Sequence, residues 1–284
     1  MRPAAWIDSA KTRGEDSDLD FHERTLASLK NLMDRDGLSN IDKLRAALRL
    51  CARHRTHLIA NTLVQAGGLD VRDGPFAGLT IPREVAEGCF VPKLLGCYEA
   101  ELHPVIDRIT QRGYANIVNI GCAEGYYAVG LARLLPNSRV WAYDTDEKAR
   151  EACARLAADN NVGDRITVSG TFTHKDFEAF PAGDTVVICD IEGAETDLLN
   201  PAKAPALRGF DIQVELHNRI ETPRNQGMIA RFKESHEVQE IRPGARDIAT
   251  YPELRDFEHI DQLLAFWEFR NGPNPWVFLT VRPK

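Results

Sequence analysis

The pattern of apolar and polar positions changes character near residue 99. From Phe21 to Leu63, apolar residues recur at helical spacing, which predicts two helices separated by the DGLSN break. Beyond residue 99, short apolar runs alternate with helical patterns. These runs predict strands at 116–120, 139–143, 165–169, 185–189, 210–215, 236–242 and 276–282. Such alternation is typical of an α/β fold with a doubly wound, mostly parallel sheet that helices cover on both faces.

The same pattern predicts a division of the 284 residues into parts. Residues 1–20 are polar and acidic and are expected to be a poorly ordered tail. Residues 21–98 form a helical appendage followed by a Gly- and Pro-rich connector, and residues 99–284 form the α/β domain, with an insertion at about 243–275. The helices expected in that domain span 99–112, 125–135, 147–160, 194–208 and 224–233.

The charge and the cysteine content of the chain limit its expected binding partners and its expected cellular compartment. The chain carries 35 basic and 42 acidic residues and a net charge of −7, which argues against a nucleic-acid partner. No apolar run approaches the length of a spanning helix, so no membrane partner is expected. The six cysteines show no C-x-x-C pair, which favours reduced thiols and a cytoplasmic setting. The sequence leaves a homodimer open.

The sharpest local motif is IGCAEGY at residues 120–126, after a strand and at the opening of a helix. Gly121 lets the backbone approach a ligand, and the helix N-terminus offers N–H groups to an anion. Asp144 ends the next strand, where a carboxylate can accept both hydroxyls of a ribose. Ala123 replaces the middle glycine of G-x-G-x-x-G, which disfavours a dinucleotide. The alternative is that Gly121 and Gly125 only permit tight strand–helix packing.

The segment NIVNIGCAEGYYAVGLARLLPNSRVWAYDTD resembles the first two motifs of class I S-adenosylmethionine-dependent methyltransferases. The run VVICDIEGAETDLL, followed by IQVELHN, is similar to FkbM-type methyltransferases, and the resemblance covers about residues 94–218. It implies a Rossmann-like seven-stranded sheet, S-adenosyl-L-methionine as cofactor, and methyl transfer to a hydroxyl of a sugar or secondary metabolite. Asn119 stands where the family has an acid near the methionine amino group, and Glu124 or Glu99 could substitute.

The resemblance also implies roles for individual residues. Asp144 would hold the ribose, with Thr145 beside it, and the turn Gly170–Thr171 would lie on the adenine edge. Tyr98 and Glu99 would close over the cofactor, although a packing role for Tyr98 is an equal alternative. The floor under the methionine moiety would be formed by Gly121, Cys122 and Ala123, with Gly125 completing the motif.

Candidate catalytic residues follow the fourth and fifth strands, at the edge where open parallel sheets place their active sites. We expect His217 to act as general base, oriented by Asp190 or Glu215. Alternatively, Asp190, Glu215 and His217 bind a divalent cation such as Mg²⁺ that acidifies the acceptor hydroxyl. A third interpretation is that His217 is a loop histidine whose hydrogen bonds are made within the protein and that has no catalytic role.

The small-molecule acceptor is expected to contact Glu192 and two residues of the long insertion, Tyr251 and Arg270. A structural helix with an aromatic core is the alternative for that insertion. Two other functions also stay open at this point. One is an enzyme that uses another part of S-adenosylmethionine, by aminocarboxypropyl transfer or cyclisation. The other is a non-catalytic nucleotide-binding scaffold.

Overall fold

The computed structural model describes residues 15–83, 89–270, 272 and 274–283, with side chains from residue 20 onward. Its contacts separate two units. One comprises the chain up to Ala66 together with Asp256–Ala265, and the other comprises Gly67–Arg255 and Phe266–Lys284. The Gly- and Pro-rich connector therefore falls in the unit that contains the sheet.

The first unit is helical, with helices Glu15–Asp34, Asn40–Gly67 and His259–Leu264. The Ser39 hydroxyl accepts a hydrogen bond from the Asp42 N–H (3.2 Å) and donates one to the Asp42 carboxylate (2.6 Å). Ser39 therefore caps the second helix by pairing a backbone N–H of its first turn. Arg55 binds the buried carboxylate of Asp261 through two 2.6 Å hydrogen bonds. Residues 1–14 of the expected tail lie outside the described residues, whereas residues 15–20 are helical, contrary to the prediction.

The second unit is built on one seven-stranded sheet of order β3-β2-β1-β4-β5-β7-β6. Strands β1 to β5 are parallel, and β7 runs antiparallel between β5 and β6. The fold class is therefore confirmed as a Rossmann-like, mostly parallel sheet with flanking helices. The strands are β1 (Asn116–Ile120), β2 (Arg139–Tyr143), β3 (Ile166–Ser169), β4 (Thr185–Cys189), β5 (Asp211–Glu215), β6 (His236–Ile241) and β7 (Trp276–Val281).

Four of the five helices predicted for this unit are present, and the helix Phe90–Leu95 lies in the segment that was predicted to be a connector. The residues at 194–208 do not form one helix but a short helix, Glu195–Leu198, and a 3-10 turn, Pro205–Gly209. Pro201 and Pro205 lack the N–H that a continuous helix requires, so the single-helix prediction is wrong. The other helices are Phe90–Leu95, His103–Arg112 after a 3-10 turn at Ala100–Leu102, Tyr126–Leu134, Glu147–Asp159 and Pro223–Ala230.

The long insertion contains two 3-10 turns, Ile248–Thr250 and Pro252–Leu254, before the helix His259–Leu264. Leu263 is 54% exposed, and Phe266 and Trp267 lie beyond the helix end, so this helix has no aromatic core of the expected kind. Within the described part of the chain, no helix has the length and apolar character needed to cross a membrane.

The loop between β1 and the helix Tyr126–Leu134 is pressed against its neighbours. The N–H groups of Gly121 and Cys122 both donate to the carbonyl of Tyr143, at 2.8 and 2.9 Å. Gly121 has φ +79°, and an added Cβ would overlap the backbone carbonyl of Asp190. Gly125 has φ +95° and lies against Cys153. Contacts within the fold therefore require glycine at both positions, whatever ligand the loop holds.

We expect Gly121→Ala to reduce the free energy of unfolding by about 2–5 kcal/mol, because left-handed strain adds to overlap with the backbone carbonyl of Asp190. Gly183→Ala is the matched control, since Gly183 has φ +80° but no atom within 4 Å of the added Cβ. The control should lose only about 1–2 kcal/mol from strain. Urea unfolding of both variants checks this, and equal losses would show that the approach to Asp190 is not limiting.

Candidate functional site

A cavity lies where β1, β4 and β5 end and β7 begins. Together with the solvent space at its mouth, it encloses about 430 Å³. Its walls combine charged, amide and aromatic side chains. The lining includes Lys93, Tyr98, Glu99, Asn119, Gly121, Cys122, Glu124, Tyr126, Tyr127, Asp190, Gln213, Glu215 and Trp276.

Glu99 and Glu215 face the cavity around a shared arginine. Arg270 pairs with Glu99 and with Glu215 (2.5 Å), and the Tyr127 hydroxyl also donates to Glu99. Burial, and then the neighbouring charge of Glu215, raise the pKa of Glu99 against the opposing effect of Arg270. Glu99 has φ +47°, an uncommon conformation for a residue with a Cβ, and its N–H donates to Glu268 at 2.9 Å.

Arg270 is tightly held by groups of the protein itself. Its Nε donates to Glu268 at 3.0 Å, and its guanidinium lies 4.9 Å from the centroid of the Trp276 ring. Together with the contacts to Glu99 and Glu215, these bonds make Arg270 the counter-ion of a buried acidic cluster. Direct contact of Arg270 with a substrate stays a prediction. The same holds for Tyr251, which packs on Phe266 with ring centroids 5.1 Å apart and does not line the cavity.

A second ion pair, Lys93 with Glu124, is buried in the same cavity, with side chains 3% and 2% exposed. The Lys93 ammonium also lies 4.7 Å from the Tyr98 ring centroid and 5.5 Å from that of Tyr126. Lys93 is not among the residues predicted from sequence, although a lone charge inside the apolar run CFVPKLLGCY was a usable signal.

Asp144 does not line the cavity but is bonded to the loop 121–125. Its Oδ2 accepts a hydrogen bond from the Ala123 N–H and its Oδ1 accepts one from the Asp146 N–H, both at 2.9 Å. A carboxylate has about four acceptor positions, so two remain for hydroxyl groups. The remaining predicted nucleotide contacts, Thr145, Gly170 and Thr171, follow β2 and β3 at this edge of the sheet and likewise do not line the cavity.

His217 lies among three carboxylates. Its Nδ1 is 2.9 Å from Oε1 of Glu195, while its Nε2 is 3.2 Å from Glu192 and 3.6 Å from Asp190. Glu195 also accepts from the N–H groups of Ile191 (2.9 Å) and Gly193 (3.1 Å). The residue that orients the imidazole is therefore Glu195. The expectation that Glu215 does so is corrected, because Glu215 bonds to Arg270 and Asn274 instead.

The electrostatics of this cluster favour an ion pair. The hydrogen bond with Glu195 raises the pKa of His217 above 6.5, against the effect of burial. Although burial opposes it, the hydrogen bonds from His217 and from two backbone N–H groups lower the pKa of Glu195. Between these two pKa values the imidazolium and the carboxylate are both charged.

Asp190, Glu195 and His217 each offer one ligand atom, and these atoms lie within 4.8 Å of one another. Carboxylate oxygens with one imidazole nitrogen are a donor set that divalent cations accept. The set expected from sequence had Glu215 in place of Glu195, and the structure corrects this membership. A metal needs a neutral imidazole, so a cation and a proton compete for His217.

No protein-family model matches the chain, and no curated protein sequence matches it significantly. Among solved structures, it is similar to the O-methyltransferase TomG of Streptomyces achromogenes, involved in tomaymycin synthesis and bound to SAM (15% identity, 68% of this chain, 83% of that chain, TM-score 0.46). It is also similar to an O-methyltransferase from Bacillus cereus in complex with SAH (17% identity, 65% of this chain, 82% of that chain, TM-score 0.44). A third similar structure is that of a putative O-methyltransferase from Klebsiella pneumoniae (14% identity, 81% of this chain, 90% of that chain, TM-score 0.42). The likeness is one of fold.

We expect Glu195→Gln to lower the pKa of His217, because the amide keeps the backbone hydrogen bonds but removes the charge that favours the imidazolium. NMR titration of the His217 ring proton, assigned with His217→Gln, measures this. Glu192→Gln is the control, since the Glu192 side chain is 80% exposed and its charge is screened by solvent. An unchanged pKa in Glu195→Gln would contradict the assignment.

The same shift has a consequence for stability. The pKa of His217 is higher in the folded than in the unfolded chain. The contribution of the His217 imidazolium to the free energy of unfolding is therefore complete below pH 6.5, and it is lost as the pH rises through the pKa of the folded state.

Proposed function

We propose that this chain is an S-adenosylmethionine-dependent methyltransferase that acts on a small-molecule hydroxyl. The observation that carries the proposal is that two groups suited to a ligand meet the loop 121–125. One is a cavity with buried charged groups, lined in part by Gly121, Cys122 and Glu124, and the other is the carboxylate of Asp144, which bonds to Ala123 and has acceptor positions left for hydroxyl groups. S-adenosylmethionine has a charged amino-acid end and a ribose diol, so these two surfaces suit its two halves.

Two buried acceptors support this fit. Oδ1 of Asn119 and Oε2 of Glu124 line or adjoin the cavity and have no hydrogen-bond partner within the described residues. Buried polar atoms are normally paired, so a ligand that donates hydrogen bonds is expected there. In this proposal Gly121, Cys122 and Ala123 underlie the methionine moiety, Asp144 holds the ribose, and Gly170 and Thr171 flank the adenine. When bound, the cofactor supplies an electrophilic methyl group on a sulfonium.

His217 is the proposed general base. Glu195 holds Nδ1, which fixes the ring and leaves Nε2 on the side of Asp190 and Glu192. Only the neutral imidazole accepts the proton of an acceptor hydroxyl. Because the pKa of His217 is raised, the fraction of active base increases as the pH rises through that value.

A metal-assisted version of the same reaction is the second candidate, favoured by the grouping of Asp190, Glu195 and His217. These residues would hold a divalent cation such as Mg²⁺, which lowers the pKa of a bound hydroxyl. The two versions differ in their response to chelation. EDTA abolishes turnover in the metal version and leaves it unchanged when His217 acts alone.

The proposed acceptor is a sugar or a secondary metabolite. The support is the similarity of VVICDIEGAETDLL and IQVELHN to FkbM-type methyltransferases. Product analysis separates methyl transfer from other uses of the cofactor. S-adenosylhomocysteine is the expected product, whereas methylthioadenosine would indicate aminocarboxypropyl transfer or cyclisation.

We expect Asp144→Ala to weaken S-adenosylhomocysteine binding by about 1–3 kcal/mol, because the ribose hydroxyls lose their acceptor. Isothermal titration calorimetry measures the affinity. Asp164→Ala is the matched control, an exposed aspartate at the opposite edge of the sheet that should bind as the wild type does. Equal affinity of wild type and Asp144→Ala would mean that the ribose is held elsewhere, and no binding to the wild type would overturn the proposal itself.

We expect His217→Gln to lower turnover by about 10²- to 10⁴-fold with little change in cofactor affinity, because the proton acceptor is lost while the cofactor contacts remain. Release of S-adenosylhomocysteine in the presence of hydroxylated acceptors measures turnover. In the wild type, turnover should rise with pH to a plateau above the pKa of His217. Turnover of the variant at the wild-type level would remove His217 from the mechanism.

A further inference from the structure

The helical unit concentrates the exposed apolar surface of the protein. Within the described part of the chain, all seven exposed large hydrophobic side chains belong to this unit. Five of them lie on its first two helices, and we call these five the apolar stripe: Leu26, Met33, Ile41, Leu44 and Leu48. Exposed apolar side chains that cluster in this way mark an interaction site, whereas scattered ones do not.

The first two helices form an antiparallel hairpin. Near the connecting turn, the Lys43 ammonium donates to the Met33 carbonyl at 2.5 Å. Towards the other end, a ring nitrogen of His22 lies 2.7 Å from one of His54, and the Phe21 ring stacks on His54 with centroids 5.0 Å apart. Residue 33 is therefore level with residue 43 along the hairpin, and residue 22 is level with residue 54.

Both helices expose the apolar stripe on the same side of the hairpin. On the second helix, Leu44 directly follows Lys43, which contacts the first helix. On the first helix, Met33 directly follows the half-buried Leu32, which lies about three turns beyond Phe21 and shares its face. One position is a rotation of about 100° around a helix axis. Because the helices run in opposite directions, the same rotation along each chain leads to the same side.

The spacing of the apolar stripe is that of a helix bundle. Ile41, Leu44 and Leu48 are three and four residues apart, and Leu26 and Met33 are seven apart. These are the heptad intervals at which apolar side chains meet between packed helices. A hairpin with such a face has the form of one half of an antiparallel four-helix bundle.

The charges of the two helices indicate what covers the stripe. Residues 15–34 include six acidic and two basic residues, whereas residues 40–67 include one acidic and five basic residues. A second copy of the hairpin can set its acidic helix along the basic helix of the first, and complementary charges favour that pairing. An anionic lipid surface would attract the basic helix but repel the acidic helix beside it.

We propose that the apolar stripe is the interface of a homodimer, in which the two hairpins close a four-helix bundle. The two-fold axis runs parallel to the helices, so the first helix of each copy lies along the second helix of the other, and every neighbouring pair is antiparallel. This symmetry keeps each residue at its height. Leu26 therefore lies beside Leu48 of the second copy, and Met33 lies beside Leu44. The inference is independent of the proposed function.

Sedimentation equilibrium over the micromolar range tests the interface. The wild type should be a dimer, and Leu48→Glu should raise its dissociation constant at least about 100-fold. The two-fold interface loses this leucine twice, and each buried leucine is worth about tenfold or more. Leu263→Glu is the matched control. Leu263 is also exposed (54%) and belongs to the same unit, but it lies outside the hairpin, so its variant should dimerise as the wild type does.

A mixing experiment tests which helices meet. Leu26→Lys should also be monomeric by itself. When it is mixed with Leu48→Glu, heterodimers should form, because the new lysine lies beside the new glutamate while the second contact keeps its two leucines. The four side chains that change or pair here are exposed in the single chain, and circular dichroism should show unchanged helix content in both variants.

A wild type that stays monomeric over this range would overturn the inference. If that monomer binds vesicles of anionic lipid and Leu48→Glu does not, the stripe is a membrane-binding surface instead. A dimer that survives Leu48→Glu would place the interface elsewhere on the chain. A mixture that stays monomeric would contradict the pairing of the first helix with the second.

Discussion

The register of β1 between β2 and β4 is the constraint on which the site depends. Ile120 pairs with Tyr143 on one side and with Cys189 on the other. The next residue of each strand is therefore Gly121, Asp144 or Asp190, and all three leave the sheet at the same level. The chain can come this close to Asp190 only because residue 121 is a glycine, which has no Cβ to overlap the Asp190 carbonyl. The loop that starts there lines the cavity and also bonds to Asp144.

The cavity is unusual for the number of charges that it buries. Two clusters share it, Lys93 with Glu124 and Arg270 with Glu99 and Glu215. Burial raises the pKa of Glu99, which shows the cost of keeping carboxylates in this position. A cationic or zwitterionic ligand would offset part of that cost, whereas an apolar ligand would add to it. The distribution of charge in the cavity therefore supports the proposed cofactor, whereas the amino-acid composition of the chain does not point to any particular ligand.

The strands could be predicted almost to the residue, because strands buried on both faces of a parallel sheet appear as continuous apolar runs. The single helix predicted at 194–208 is wrong, because the apolar spacing there is helical while Pro201 and Pro205 prevent a continuous helix. Asp144 and His217 were found from their places after strands. Lys93 and Arg270 could not be assigned from spacing, since their partners are distant in sequence and meet only in the folded chain. Glu195 follows Asp190 closely in the sequence, but its bond to His217 is a tertiary contact that spacing does not reveal.

A crystal structure of the protein with S-adenosylhomocysteine would test the central claim most directly. The account predicts the ribose hydroxyls on Asp144 and the amino-acid end of the ligand in the cavity, beside Asn119 and Glu124. A ligand bound away from the loop 121–125, or a ligand whose amino-acid end lies outside the cavity, would contradict it.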